Sequence, residues 1–266
     1  MRESLLTADY HVHTDFSDDS QAPMDAVVRR ALELGLDEIC FTEHVDHGIK
    51  TVTNCCYPAY FQELERMRER YGDRIVIRMG IEFGVQMETV PQYQEDFRRW
   101  PFDFVILSNH QVGGKEFWNG QFQEGKTQEQ FHTAYYEAIL QVMEGFQDYS
   151  ILGHLDMIKR YDPHGPYPDE KILPIVEEIL RRAIRDGKGI EVNTSSFRYG
   201  LPDLTPSERI LELYHDLGGR VLTLGSDAHD ASHLADHFPE IREILREIGF
   251  RELCTFERMR PIFHPL

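Results

Sequence analysis

The stretch Asp9-Tyr10-His11-Val12-His13-Thr14-Asp15-Phe16-Ser17-Asp18-Asp19 crowds two imidazoles and several carboxylates into a few residues. In an extended segment side chains alternate between faces, so His11 and His13 point the same way while Val12 packs on the other side. Two neutral imidazoles converging on one point offer metal-ligand chemistry. On its own a His-x-His is more often a half-buried strand with two satisfied histidines than a metal site. Recurrence decides for metal here, because Glu43-His44, Glu82, His110, Gly153-His154 and Ser226-Asp227-Ala228-His229 each close a further apolar run.

Such groups need a scaffold that brings them together. Short apolar runs at 4–13, 36–42, 75–81, 102–108, 149–153, 189–193 and 220–225 read as strands. Between them, segments at 23–34, 61–71, 93–99, 127–144, 170–186, 207–217 and 238–248 read as helices. Pro23 and Gly35 bracket the first helix, and Phe61, Leu64, Met67 and Tyr71 form a core stripe on the second. Residues 51–60 read as an irregular loop, and the chain beyond 248 as a short apolar tail. Strands alternating with helices predict an α/β fold with a closed parallel barrel. In such barrels the catalytic groups gather at the carboxyl ends of the strands, which open on one face. Each histidine and acid named above falls at a predicted strand exit, so the fold would deliver all of them to one place.

Composition bounds the remaining choices. With 266 residues, 41% of them hydrophobic, residues 1–266 are expected to form one domain around one core. The net charge of -18 argues against a nucleic-acid partner. A small phosphorylated substrate stays compatible with it, since divalent cations and one or two arginines make a locally positive pocket. Cys40, Cys55, Cys56 and Cys254 match no CxxC pair and read as reduced, packing thiols. There is no apolar run of about eighteen residues, and residues 1–4 lead into no apolar signal core. No membrane association is therefore expected, the cytoplasm is the expected compartment, and the oligomeric state is left open.

Taken together, His11-x-His13, Glu43-His44, Glu82, His110, Gly153-His154 and Ser226-Asp227-x-His229 give the chain a resemblance to the polymerase-and-histidinol-phosphatase (PHP) metallohydrolase family, from residue 9 to about residue 233. Within it, the run Gly153-His154-Leu155-Asp156-Met157-Ile158-Lys159-Arg160-Tyr161 and the total length look most like the members that convert L-histidinol phosphate to L-histidinol and phosphate in histidine biosynthesis. The resemblance implies a distorted seven-stranded (β/α)7 TIM-like barrel with three divalent ions, zinc, manganese or iron, at the C-terminal ends of the strands. It implies that His11, His13, Glu82 and Asp227 take the first ion and that Glu82 bridges to a second held by His110 and His154. His44, His229 and a loop residue would take the third. Many relatives place a histidine six residues after the second His of the first motif, where this chain has Asp19, with Asp18 as the competing choice.

A cation cluster that activates water hydrolyses a phosphomonoester directly, and Glu82, Asp227 and His229 are expected to carry that catalysis. Phosphate also favours forked donors, so Arg160 and Arg198 are candidates for binding it. Glu43 is expected to orient His44 or to sit near the substrate, and Asp156 and Tyr161 near its amine end. Trp100 and Trp118 read as packing or loop anchors. The remaining histidines read as surface or packing residues, with His233 near the barrel mouth. Two rivals remain: a metal-dependent phosphoesterase acting on phosphotyrosine, nucleotides or oligonucleotide ends, and a non-catalytic module in which metal only holds the fold.

Overall fold

The structure is a computed structural model that describes residues 5–266. Residue 4, where the first strand is expected to begin, lies outside the described residues. Seven strands form the frame: β1 (Ala8–Val12), β2 (Glu38–Phe41), β3 (Val76–Gly84), β4 (Phe104–Ser108), β5 (Ile151–Leu152), β6 (Gly189–Asn193) and β7 (Leu222–Gly225). Each pairs in parallel with the next in chain order. The ring closes between β1 and the exit of β7, where Val12 bridges Ala228 and the His13 N–H donates to the Ala228 carbonyl at 2.9 Å. Buried Asp9 fastens that seam, its carboxylate accepting the N–H groups of Ser226 at 3.0 Å and Ala235 at 2.9 Å. The result is the closed parallel barrel that the alternation predicts, in the distorted (β/α)7 form that the resemblance implies.

Among the described residues eight α-helices flank the strands: α1 (Met24–Leu34), α2 (Tyr57–Tyr71), α3 (Val90–Arg99), α4 (Gln128–Gly145), α5 (Asp169–Arg185), α6 (Ser195–Arg198), α7 (Glu208–Asp216) and α8 (Phe238–Ile248). Among the described residues no helix is long and apolar enough to cross a membrane. Helix α2 begins inside the predicted loop, because Pro58 in its first turn fits a helix entry as well as it fits a loop. Helix α1 ends at Gly35, whose φ of 74° supplies the left-handed cap that glycine adopts without strain.

Alternation along each strand sorts two cores. On β4, Val105 and Leu107 face the helices, whereas Phe104 and Ile106 fill the barrel interior with Ala8, Tyr10, Cys40 and Ile151. The interior is narrow: a Cβ on Gly80 would stand 2.6 Å from Cys40 Sγ and from the Phe41 carbonyl. Glycine is required at that position to let the strands approach.

The tail predicted beyond residue 248 is instead an antiparallel hairpin, β8 (Glu252–Glu257) and β9 (Arg260–Pro265). Its turn is Arg258-Met259, both at positive φ, and these residues carry none of the Asn-Gly chemistry that flags a hairpin in sequence. The hairpin closes the amino-terminal end of the barrel. Phe256 inserts against Phe104, with ring centroids 4.9 Å apart, and its N–H donates to the Tyr10 hydroxyl at 2.7 Å. Asp103 holds the turn, accepting from the N–H groups of Met259 at 2.8 Å and Arg258 at 3.0 Å. Phe256→Ala is expected to cost about 3–5 kcal/mol, the usual range for emptying a buried phenylalanine site. Urea unfolding would measure it, and a loss under about 1 kcal/mol would mean that the hairpin does not seal the core.

Candidate metal centre

At the opposite end of the barrel the strand exits converge as the sequence suggests. Glu82, two residues before the end of β3 and fully buried, lies at the middle. Its Oε2 is 3.2 Å from His11 Nε2, 3.5 Å from His13 Nε2 and 3.0 Å from His44 Nδ1. Its Oε1 is 2.9 Å from His154 Nε2 and 3.2 Å from His110 Nε2. The two oxygens thus face two different sets of imidazoles. Asp227 Oδ1 completes the first set, 3.5 Å from His13 Nε2 and 3.7 Å from His11 Nε2.

A third group lies toward the mouth, where Asp19 Oδ2 is 3.1 Å from His229 Nε2 and 3.5 Å from His44 Nε2, and the two imidazoles are 3.4 Å apart. Asp18, the competing choice, turns away and accepts the Thr53 N–H at 2.7 Å. The geometry therefore brings Asp19, not Asp18, into the cluster.

Two carboxylates that the sequence reading passed over lie behind the histidines. Glu191, buried in β6, has Oε2 at 2.9 Å and Oε1 at 3.1 Å from His11 Nδ1, and its Oε1 also accepts the His154 N–H at 2.7 Å. Asp46 Oδ1 lies 2.8 Å from His110 Nδ1. Each contact settles which ring nitrogen remains free for the cluster, since the carboxylate takes up the other. The signal for both was available: a carboxylate in a strand buried on both faces, and an acid two residues from His44, on the same face, need partners.

Two expectations are corrected. The Glu43 carboxylate is fully buried and accepts from Thr14 N at 3.0 Å, Thr14 Oγ1 at 2.6 Å and Ser17 Oγ at 2.6 Å, so it anchors the loop after β1 and has no place against a substrate. Asp156 is buried too, accepting from Lys159 Nζ at 2.7 Å and Ser207 N at 2.9 Å. Proximity in sequence to a ligand says nothing about the side on which a side chain emerges.

The cluster floors a cavity of about 690 Å³ whose wall includes Trp118, Arg160, Tyr161, Arg198, Tyr199 and His233. Arg160, nearly buried, has Nη2 at 2.7 Å from Ser195 Oγ and 3.8 Å from Asp227 Oδ2, and its guanidinium lies 3.7 Å from the centroid of the Tyr199 ring. Arg198 departs from its expected role. Its terminal nitrogens donate to the carbonyls of Ser226 at 2.9 Å and Asp227 at 2.7 Å, holding the turn in which Asp227 adopts φ 53°. That turn aims the Asp227 carboxylate at the histidines.

The PHP domain profile matches residues 9–195. The chain belongs to the PHP domain family. Its PHP relatives include the histidinol-phosphatase of Lactococcus lactis subsp. lactis, 36% identical over 261 residues and covered, like this chain, over 95% of its length. The "Probable histidinol-phosphatase" of Thermotoga maritima is 29% identical over 249 residues, 93% of this chain and 94% of its own. A crystal structure of the Lactococcus lactis histidinol phosphate phosphatase, complexed with zinc, L-histidinol and phosphate, aligns with a TM-score of 0.89 at 34% identity, covering 97% of this chain and 100% of that one.

The spacing of the PHP donor set fits cations. Donor atoms about 2.1 Å from a tetrahedral ion stand about 3.4 Å from one another. The separations given above for the three groups scatter around that value. His13 Nε2 is buried without a hydrogen-bond partner among the described residues, and two carboxylate oxygens face it at 3.5 Å. That is long for a hydrogen bond and right for two ligands of one ion.

The charges agree. Burial disfavours the charged form of His11, His44, His110 and His229, yet neighbouring carboxylates outweigh it and raise all four, His110 to about 9. His13 goes the other way, pushed well below its ordinary value by burial and by His44 and His229. Burial alone would raise Glu82, but His11, His44 and His110 hold it well below the usual carboxylate range. Raised imidazoles must release protons before they can ligate, so cation uptake should strengthen as pH rises toward about 9. Calorimetric zinc titration of chelator-treated protein at pH 6, 7 and 8, in buffers of different ionisation enthalpy, is expected to show proton release at the lower pH values. Heats independent of buffer would contradict it.

Proposed function

We infer that the chain is a metal-dependent phosphomonoesterase that hydrolyses L-histidinol phosphate to L-histidinol and phosphate, with residues 1–266 working as one barrel. The observation that carries this reading is the convergence of three donor groups with Arg160 in one cavity. His11, His13, Glu82 and Asp227 would hold one ion, Glu82 with His110 and His154 a second, and Asp19, His44 and His229 a third. Zinc in the Lactococcus relative favours zinc, and the same donors also suit manganese and iron. When bound, the ions polarise the phosphoryl oxygens and make hydroxide available near neutral pH for in-line attack.

The chain's own groups do the rest. Arg160 offers its fork to the phosphate oxygens, with Tyr199 fixing the plane of the guanidinium. Asp227 is aimed by the Arg198-held turn. Aromatic Trp118, Tyr161 and Tyr199 and acidic Asp230 on the cavity wall suit the imidazole and ammonium of histidinol, one by stacking and the other by charge. The same acidic wall and the net charge of -18 disfavour a polynucleotide. Free thiols at all four cysteines accord with a cytoplasmic location.

Phosphate release from L-histidinol phosphate, phosphotyrosine and a 5′-phosphorylated oligonucleotide, measured beside elemental analysis, tests the reading. Turnover confined largely to the first substrate, lost on chelation and restored by zinc, is expected. Preference for either of the others would replace the substrate, and a metal-loaded protein inert toward all three would leave a non-catalytic module.

A further inference from the structure

We propose that Asn193 is a positioning residue that ties the phosphate-holding guanidinium of Arg160 to the metal-ligand cluster. The proposal rests on the function inferred above and concerns the coupling of its two halves.

Asn193 ends β6 and is fully buried. Its Oδ1 accepts from the Ser195 N–H at 3.0 Å and the Ser195 hydroxyl at 2.5 Å. Its Nδ2 donates to Glu191 Oε1 at 3.1 Å and to Asp227 Oδ2 at 3.3 Å. Reversing the amide would set its oxygen against two carboxylates, so the orientation is fixed by charge. Ser195, having given its hydroxyl proton to Asn193, accepts from Arg160 Nη2 at 2.7 Å. At the other end Glu191 contacts His11 Nδ1 and the His154 N–H. An unbroken chain of donors and acceptors therefore runs from Arg160 through Ser195, Asn193 and Glu191 to two candidate ligands, with a branch to a third at Asp227.

The chain lies away from water, where each polarised bond strengthens the next and an unpaired group is costly. Only a side chain that accepts on one side and donates on the other can occupy its middle. Aspartate would lose the donor and bring a third carboxylate against Glu191 and Asp227. Alanine would break both links. The arrangement makes the direction of the Arg160 fork depend on the same amide that steadies Glu191 and Asp227, so phosphate and cations are held in one frame.

The test compares wild type, Ser195→Ala, Asn193→Ala and the double variant by three readouts: zinc content, the inhibition constant of inorganic phosphate, and the separate kcat and KM for L-histidinol phosphate. Ser195→Ala cuts only the Arg160 end. It is expected to raise the phosphate inhibition constant and KM about tenfold, the usual effect of losing one hydrogen bond to a charged group, while the zinc content stays that of wild type. Asn193→Ala should raise the phosphate constant as much and also lower zinc content and kcat. In the double variant the phosphate constant should equal that of Asn193→Ala, because the two residues act in series.

Additive effects on phosphate in the double variant would overturn the proposal. So would a Ser195→Ala phosphate constant within about twofold of wild type, a result that stands even if Asn193→Ala fails to fold. A wild type that does not hydrolyse L-histidinol phosphate would overturn the functional reading instead. Calorimetric phosphate binding to the zinc-loaded protein would then still judge the link between Ser195 and Asn193.

Discussion

Replacing Glu82 by alanine is expected to lower kcat on L-histidinol phosphate by at least about a thousandfold and to remove at least one zinc ion per chain. The size follows from position. Among the described residues Glu82 is the one carboxylate whose two oxygens face separate groups of histidines, and it is fully buried among them. Without it, His11, His44 and His110, whose charged forms this carboxylate favours, would face one another across a dry interior, which costs several kcal/mol unless they lose their protons. Ser108, which donates to Oε1 at 2.6 Å, would also lose its acceptor. Glu82→Gln keeps the shape and one acceptor but removes the charge, so it should fold nearly as well and still lose most of its activity. Elemental analysis of both variants, beside single-turnover phosphate release, separates the effects. Full zinc content in Glu82→Ala would mean that the side chain does not bridge ions.

The histidines of this centre were legible because their chemistry is local to the strand exits. His11 and His13 share a face by the period of a strand, and His44, His110, His154 and His229 each follow an apolar run that the barrel turns toward the same mouth. What could not be read was the direction of side chains leaving the regular strands. Glu43 and His44 are adjacent in sequence, yet one buries its carboxylate against Thr14 and Ser17 while the other reaches Glu82. Arg198 emerges beside the cavity but spends its fork on backbone carbonyls, a partner no side-chain motif records. The hairpin β8–β9 escaped for a related reason, since Arg258 and Met259 adopt positive φ without a glycine or asparagine to announce it. Long-range pairing supplies the energy there, through Phe256 in the barrel and the backbone bonds to Asp103.

Glu191 gives the second large effect. It reads in sequence as an acid inside a buried strand, and the fold explains it as the support under His11. Glu191→Ala is expected to weaken zinc binding at the His11 site by about 10–100-fold and to lower kcat by a similar factor, the range found when a carboxylate behind a ligating histidine is removed. Two causes add. His11 Nδ1 loses the partner that fixes its tautomer and ring plane, and the His154 N–H and Asn193 Nδ2 lose an acceptor in a region closed to water. The variant should also be less stable, so stability must be separated from ligation. Glu191→Gln does this: it retains an acceptor for His11 but turns an NH2 toward donors already present, and it should recover part of the zinc affinity and less of the stability. Competition against a chelator of known affinity gives the first quantity and urea unfolding the second. Wild-type zinc affinity in a destabilised Glu191→Ala protein would assign Glu191 to the packing of β6 and leave His11 oriented by Glu82 and Asp227 alone.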